Sequence, residues 1–297
     1  MIKMNKCNNC GGEDFEPFLQ LPIAGTTDEY QASAFRANGE KLVKCNSCGL
    51  VFIHPFAHDD VVIIDGYSNA IDNEYVSQIE HRIKTFRKCM DTVEKVTGLY
   101  GGRILDLGAA AGAFVKVAKD RGWDASGVEP CGFLVRWAME KLSLENMYTG
   151  TLGTADISGS FDIITMWDVL EHVPDPDNTV FMAKKLLTDG GYIVTNLPDI
   201  SALLPRIMGP RWPFYASCHL YYYTPETIDF LMNKHGFERV YKAPHWQELS
   251  LGYLAYRFEQ FSKTVSTIMV TITNMLGISE WPIKYNIGQT LFIYKKK

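Results

Sequence analysis

From Arg103 onward the sequence alternates short apolar runs with segments of helical periodicity. Strands are predicted at 103–107, 124–128, 161–167, 192–196, 238–241 and 289–294. Helices are predicted between them, one ending near 121 and others at 132–142, 178–187 and 225–235. Strands that alternate with helices form a mostly parallel sheet with helices on both faces. The predicted fold class for residues 101–297 is therefore α/β.

Two features at the ends of the first two strands indicate a ligand. The first strand is followed by a loop of small residues, DLGAAAG over residues 106–112, where a ligand can approach the backbone at the start of a helix. The second strand ends in Glu129, 21 residues after Gly108. An acid about 20 residues after the glycine is placed to bind both hydroxyls of a ribose. Together they predict a ligand that contains adenosine.

The loop distinguishes two classes of such ligand. Nicotinamide-binding loops read G-x-G-x-x-G, whereas this one begins with Asp106 and has no third glycine in register. Asp106 suits a cationic amino group better than a pyrophosphate, and Glu129 would repel the 2′-phosphate of NADP. The pattern favours S-adenosylmethionine over NAD.

Four motifs, in this order, resemble the class I S-adenosylmethionine-dependent methyltransferases: ILDLGAAAGAF, GVEP, FDIITMWDVLEHVPDP and LLTDGGYIVTNLP. The resemblance covers about Arg103 to Lys295. It implies a Rossmann-like, seven-stranded, mostly parallel sheet with S-adenosylmethionine as cofactor. Leu152 stands where members often carry an acid near the adenine, and is expected to pack on the ring. The cofactor-binding residues implied are Asp106, Gly108, Ala109, Gly112, Phe114, Glu129, Leu152, Trp167 and Asp168.

Four of the seven cysteines form two C-x-x-C-G pairs, Cys7 with Cys10 and Cys45 with Cys48. Two such turns can present four thiolates, the tetrahedral set that zinc prefers. Structural zinc is the favoured interpretation, with a redox dithiol or unliganded thiols as alternatives. We expect a zinc-ribbon module at 1–60 and a linker with a docking helix at 61–100. The methyltransferase domain at 101–297 is expected to contain a helical insertion at about 243–285.

A closer resemblance covers the whole chain and carries the catalytic assignments. Zinc-ribbon-bearing methyltransferases that act on deoxysugar nucleotides and glycans share the paired C-x-x-C-G motifs, a tyrosine-rich linker around Tyr67 and a His-aromatic segment at 218–224. In their C-methylating members this segment reads Glu-His-Leu, and the His and nearby tyrosines handle the substrate proton. Here Cys218 replaces the Glu and the additional C-terminal domain is expected to be missing. Both departures weaken the prediction of C-methylation, so O-methylation is favoured at least as strongly. The catalytic candidates are His219 as base, His172 as its alternative, Tyr222 and Tyr67.

The predicted function is methyl transfer to a hydroxyl or carbon of a sugar nucleotide or glycan, in carbohydrate biosynthesis. One alternative is an RNA methyltransferase that grips RNA with the ribbon, but residues 1–60 carry five Lys or Arg and eight acids, and the whole chain has a net charge of −5. No nucleic-acid partner is therefore expected. Another alternative is a module that binds the cofactor without catalysis.

No membrane span or secretory signal is expected, since the longest uncharged run, 264–279, is too short and too polar. The predicted location is the cytoplasm, and the oligomeric state is not indicated. A helix at 264–278 carries an apolar stripe and is interpreted as a lid or packing helix. Its alternatives are a dimer contact and a contact with a membrane or a lipid-linked acceptor.

Overall fold

The computed structural model describes residues 6–21, 39–55 and 73–297. The strands, in chain order, are β1 (Phe15–Gln20), β2 (Lys41–Cys45), β3 (Val51–Ile53), β4 (Arg103–Leu107), β5 (Asp124–Glu129), β6 (Met147–Thr149), β7 (Phe161–Trp167), β8 (Leu187–Pro198), β9 (Tyr221–Tyr222), β10 (Phe237–Pro244), β11 (Gln247–Ser250), β12 (Pro282–Tyr285) and β13 (Gln289–Lys296). The α-helices are α1 (Asn73–Ser77), α2 (Ile79–Thr97), α3 (Ala113–Asp120), α4 (Gly132–Leu142), α5 (Pro176–Leu186), α6 (Leu203–Met208), α7 (Pro225–Lys234), α8 (Leu251–Arg257) and α9 (Lys263–Met275).

The main sheet has seven strands in the order β10-β13-β8-β7-β4-β5-β6. The five strands from β8 to β6 are parallel, and β13 runs antiparallel to both of its neighbours. This arrangement confirms the predicted Rossmann-like α/β fold with a mostly parallel seven-stranded sheet.

The central strands are apolar on both sides, as a sheet covered by helices requires. Successive residues such as Ile163 and Ile164 of β7 are both fully buried, but they belong to opposite faces. One face packs against α2, α3 and α4, and the other against α5 and α7. The apolar stripe of α2 is confirmed as a packing face, with Met90 and Val93 fully buried.

The N-terminal strands form a separate antiparallel sheet in the order β1-β2-β3-β9. Its fourth strand, β9, comes from the segment that follows His219, so Phe52 of β3 lies opposite Tyr221. The side-chain amide of Asn9 also donates to the Thr227 carbonyl at 2.8 Å. The N-terminal segment is therefore joined to the α/β domain by a shared sheet as well as by packing.

The segment between β10 and β13 contains the predicted helices together with a pair of antiparallel strands, β11 and β12, that the sequence did not indicate. Ser250 caps α8 by accepting from the Tyr253 amide at 3.2 Å, and Ser262 caps α9 by accepting from the Val265 amide at 3.3 Å. We call residues 245–287 the insertion. Among the helices in the described ranges, none has the length and apolarity needed to cross a bilayer.

Candidate active site

A cavity of about 870 Å³ opens at the carboxyl ends of β4, β5 and β7. In open α/β sheets this edge is where ligands bind. Its walls come from the loops after these strands, from α1 and α2, from the segment that contains Phe214 and His219, and from the insertion. Seven of the nine predicted cofactor residues line it: Asp106, Gly108, Ala109, Glu129, Leu152, Trp167 and Asp168.

The carboxylate of Glu129 connects two loops at the floor of the cavity. Its Oε2 accepts from the Ala110 amide at 2.9 Å, and its Oε1 accepts from the Cys131 amide at 2.8 Å. The glycine loop turns sharply to make this contact, since Gly108 and Ala110 both have positive φ, 69° and 46°. The two amides fix the orientation of the carboxylate, and its remaining lone pairs can accept hydroxyl groups.

Asp106 lies at the end of β4 and is buried. Its Oδ1 accepts from the Thr165 hydroxyl at 2.6 Å. Burial raises the pKa of Asp106 to about 8, against the lowering effect of the Thr165 hydrogen bond, and the charge of Glu129 raises it further. Burial also raises the pKa of Glu129 to about 7, although its two amide contacts oppose the shift. The floor of the cavity therefore concentrates carboxyl groups that would be stabilised by a positively charged or hydroxyl-bearing ligand.

Asp168 follows Trp167 at the end of β7 and adopts a positive φ of 52°. Its Oδ1 accepts from the Asn196 side-chain amide at 2.8 Å and from the Gln289 side-chain amide at 2.6 Å. Burial raises the pKa of Asp168 to about 6, and these hydrogen bonds and the charge of Arg82 act in the opposite direction. Two strands, β8 and β13, thus fix this carboxyl group.

Gly112 and Phe114 do not line the cavity, unlike the other predicted cofactor residues. Gly112 begins α3 with a φ of 75°, and a Cβ there would lie 2.5 Å from Leu144 Cδ1. Phe114 is buried and packs against Trp167, with ring centroids 5.2 Å apart. The structure places both residues behind the cavity wall, where they shape the loop and support Trp167.

His172 and His219 lie side by side at the cavity, with ring centroids 4.6 Å apart. The Nδ1–H of His172 donates to the Cys218 carbonyl at 2.8 Å, and that of His219 donates to the Phe214 carbonyl at 2.7 Å. Burial lowers the pKa of His172 to about 4 and that of His219 well below its usual value. Both rings are therefore neutral at pH 7, with the unprotonated nitrogen at Nε2.

The thiol of Cys218 lies with the two imidazoles, so that their donor atoms are within 4.8 Å of one another. Such a group could in principle hold a metal ion. Burial raises the pKa of the Cys218 thiol to about 12, however, and a protonated thiol is a poor metal ligand.

Of the other two catalytic candidates, Tyr222 does not line the cavity. Tyr222 is buried in the N-terminal sheet, and its hydroxyl donates to the Ala216 carbonyl at 3.1 Å. Tyr67 lies outside the described residues. Roles for Tyr222 and Tyr67 stay predictions.

Several cavity residues were not predicted. Arg82 projects from α2, with its guanidinium 3.8 Å from the ring centroid of Tyr75. His245 stacks on Trp167 at 5.8 Å. Helix α2 was predicted only as a docking helix, but it also lines the cavity through Arg82, Thr85 and Phe86. Arg82 could have been predicted from its position next to the apolar stripe of α2. No sequence motif surrounds His245, so its place in the cavity could not have been predicted.

The four N-terminal cysteines converge as expected for a metal site. Their sulfur atoms all lie within 4.8 Å of one another, and the Sγ pairs Cys7–Cys48 and Cys10–Cys45 are each 3.5 Å apart. Four zinc–sulfur bonds of about 2.3 Å in a tetrahedron require sulfur separations of about 3.8 Å. The donor set and its spacing fit a zinc ion.

A sequence model of the family described as "Methyltransferase domain" matches residues 79–242. The chain belongs to this methyltransferase-domain family. The match confirms the methyltransferase domain that the sequence motifs predicted.

The chain is also similar to curated relatives named "Ubiquinone biosynthesis O-methyltransferase". It is 30% identical to that of Pectobacterium atrosepticum over 119 residues, 38% of this chain and 49% of the relative. It is 29% identical to that of Azoarcus sp. strain BH72 over 140 residues, 44% of this chain and 59% of the relative. The chain thus spans about half the length of the relatives it matches.

Among solved structures, an S-adenosylmethionine-dependent methyltransferase of Thermotoga maritima aligns with 76% of this chain and 96% of its own, at 21% identity and a TM-score of 0.48. The magnesium protoporphyrin IX methyltransferase of Synechocystis PCC 6803 aligns with 72% of this chain and 84% of its own, at 14% identity and a TM-score of 0.47.

The buried acids make stability depend on pH. Because the folded-state pKa of Asp106 is about 8 and its unfolded value is near 4, the native state holds the extra proton between these limits. The contribution of the Asp106 carboxyl group to the free energy of unfolding is therefore complete below pH 4 and is lost as the pH rises to 8. The free energy of unfolding falls by at most about 1.4 kcal/mol per pH unit over this range. In Asp106→Asn, urea unfolding between pH 5 and 8 should show a flatter decline in the free energy of unfolding. The exposed control Asp156→Asn should keep the wild-type slope, and equal slopes in all three proteins would contradict the assignment.

Proposed function

We propose that the chain transfers a methyl group from S-adenosylmethionine to a hydroxyl group of a small-molecule acceptor. The observation that carries the proposal is the convergence on one cavity of the amide-bound carboxylate of Glu129, the glycine loop and two neutral histidines. The Glu129 carboxylate and the glycine loop suit the adenosyl cofactor, and the histidines suit deprotonation of a hydroxyl.

Different residues of the cavity can bind different parts of the cofactor. Glu129 would accept hydrogen bonds from the two ribose hydroxyls, and Leu152 would pack on the adenine. The carboxyl groups of Asp106 and Asp168 would face the positively charged amino group. Arg82, whose charge acts on Asp168, would pair with the methionine carboxylate. When bound, the cofactor supplies an electrophilic methyl group on a sulfonium centre.

His219 is the proposed base, with His172 as the alternative. The carbonyl of Phe214 fixes the Nδ1–H tautomer of His219, so Nε2 can take the proton of an acceptor hydroxyl. The ring of Phe214 stacks on His219 at 5.7 Å and holds its orientation. The protein therefore contributes alignment, which can lower a barrier by up to about 7–11 kcal/mol, and proton removal, typically worth about 10²–10⁴-fold.

The acceptor half of the cavity is mainly apolar and aromatic. It is lined by Met208, Pro213, Phe214, Tyr253, Leu254, Phe258, Phe261, Tyr285 and Ile287. Flat aromatic faces suit either a sugar ring or a phenolic ring. Arg82 and Arg257 are the cations among the described lining residues, against the acids Asp106, Glu129, Asp168, Asp175 and Glu248. The apolar and aromatic lining, more than this count of charges, favours a neutral ring that bears a hydroxyl, as in a glycan or a phenol.

The name of the relatives supports transfer to oxygen. That the acceptor ring is a sugar stays a prediction. The described lining of the cavity offers no feature that favours the two alternatives, an RNA methyltransferase or a module that binds the cofactor without catalysis.

Calorimetry tests the cofactor assignment. S-adenosylmethionine should bind, and Glu129→Gln should weaken binding up to about 100-fold. The carboxamide keeps one acceptor oxygen and loses the other, and a hydrogen bond to a charged group is worth about 1.5–3 kcal/mol. The exposed Glu140→Gln on α4 is the control and should bind normally. No heat with S-adenosylmethionine, together with tight binding of NAD, would refute the proposal.

Measurement of turnover tests the assignment of His219 as the base. In His219→Ala, formation of S-adenosylhomocysteine with a panel of glycans, nucleotide sugars and catechols should fall about 10²–10⁴-fold, while the dissociation constant of the cofactor stays unchanged. His235→Ala should keep normal turnover, since this ring is hydrogen-bonded to Asp177 at 2.6 Å and does not line the cavity. Near-normal turnover in the His219 variant would exclude it as base.

We further propose that Cys7, Cys10, Cys45 and Cys48 bind one structural zinc ion. Four thiolates leave no open coordination position, so the metal would stabilise the N-terminal sheet and take no part in the chemistry.

Metal analysis of gently purified protein should find one zinc per chain. Cys48→Ser should reduce the zinc content and lower the melting temperature, since the energy of metal binding contributes to folding. Cys89→Ser, a buried cysteine of α2, should retain the metal. Zinc far below one per chain in the wild type would overturn the site.

A further inference from the structure

Helix α9 is amphipathic in the reverse of the usual sense. Its buried residues are Ser266 and Thr273. Five large apolar side chains of α9 and its C-cap are exposed, by 46–81% of their surfaces, whereas Met269 and Val270 are half-buried. We call the five exposed side chains the α9 face: Val265, Ile268, Ile272, Met275 and the C-cap Leu276. These residues are spaced by three, four, three and one, so they form one stripe along the helix. The Ser266 hydroxyl donates to the Tyr256 carbonyl at 3.0 Å, which fixes the polar side of α9 on the protein.

The α9 face lies in a stretch without charge. Residues 264–279 contain no Asp, Glu, Lys or Arg, although most of α9 is exposed. Surface helices of water-soluble domains normally place charged residues on their solvent side. An exposed apolar stripe of this kind indicates contact with something other than water.

The α9 face continues into the mouth of the cavity. Phe258 and Phe261, in the turn between α8 and α9, line the cavity and are also 44% and 47% exposed. Tyr253 and Leu254 of α8 line the cavity further in. One apolar surface therefore extends from the acceptor half of the cavity to the outside of α9.

The size of the face decides between a second copy of the chain and a lipid layer. A helix of 13 residues is about 20 Å long, and a stripe about 10 Å wide covers about 200 Å². Stable dimers bury about 800 Å² on each partner, so this face alone is too small for one. A helix lying in a bilayer interface needs only such a stripe. Trp281, which is exposed within the insertion, is a residue type enriched at membrane interfaces.

We propose that the α9 face docks on the surface of a lipid bilayer and turns the mouth of the cavity toward it. The inference goes beyond the proposed function, because docking requires neither cofactor nor catalysis. The class of acceptor that docking implies, a hydroxyl-bearing ring carried on an apolar tail in the bilayer, rests on the proposed function. Such a tail would follow the surface formed by Phe258 and Phe261, with the ring in the cavity.

Flotation of the full chain with vesicles tests docking. Wild-type protein should float with phosphatidylcholine vesicles and with 3:1 phosphatidylcholine–phosphatidylglycerol vesicles, since the contact is mainly apolar. Ile268→Ser with Ile272→Ser should reduce the bound fraction tenfold or more, by the loss of roughly 0.8 kcal/mol for each buried methylene. The matched control, Met139→Ser with Phe230→Ser, replaces exposed apolar residues on α4 and α7 and should float like the wild type.

Three results would overturn the proposal: wild type that floats with neither vesicle, equal flotation of both double variants, or a wild-type dimer in light scattering that only the Ile268/Ile272 variant dissociates. The last result would assign the face to a second copy. Thermal melting confirms that both double variants fold. Loss of S-adenosylmethionine binding with intact flotation would refute the proposed function alone.

Discussion

The contact of Glu129 with two backbone amides determines how the cavity is built. It ties the loop after β4 to the loop after β5, because one carboxylate accepts from Ala110 and from Cys131. The glycine loop can reach this carboxylate only with positive φ at Gly108 and Ala110. A side chain proposed to bind the ribose therefore also sets the shape of the loop proposed to surround the methionine.

Much of the fold could be predicted because it rests on local patterns. The buried strands and the loop and acid between them are encoded in contiguous residues, and each was found at its predicted place. The helix predicted at 178–187 begins earlier, at Pro176, because Asp175 caps it by accepting from the Asn178 amide at 3.0 Å. Strand β8 is longer than expected, since the antiparallel β13 pairs along it.

What escaped prediction depends on contacts between distant residues. Strand β9 has two residues and exists only because β3, about 170 positions earlier, pairs with it. Arg82 and His245 become cavity residues only because α2 and the insertion both pack at the same edge of the sheet. Conversely, Gly112 and Phe114 matched a motif, but packing places them behind the wall. Sequence patterns identified the loop around the ligand, whereas tertiary packing decided which of its side chains face the cavity.

The position of β13 has a consequence for biosynthesis. This strand lies between β8 and β10, although the ribosome makes it after both. Until it emerges, β8 and β10 have no common partner, and Asp168 lacks its hydrogen bond from Gln289. A nascent chain without β13 leaves the edge of β8 open, and open strand edges invite aggregation. The strand that closes the sheet is thus also the strand that completes this wall of the cavity.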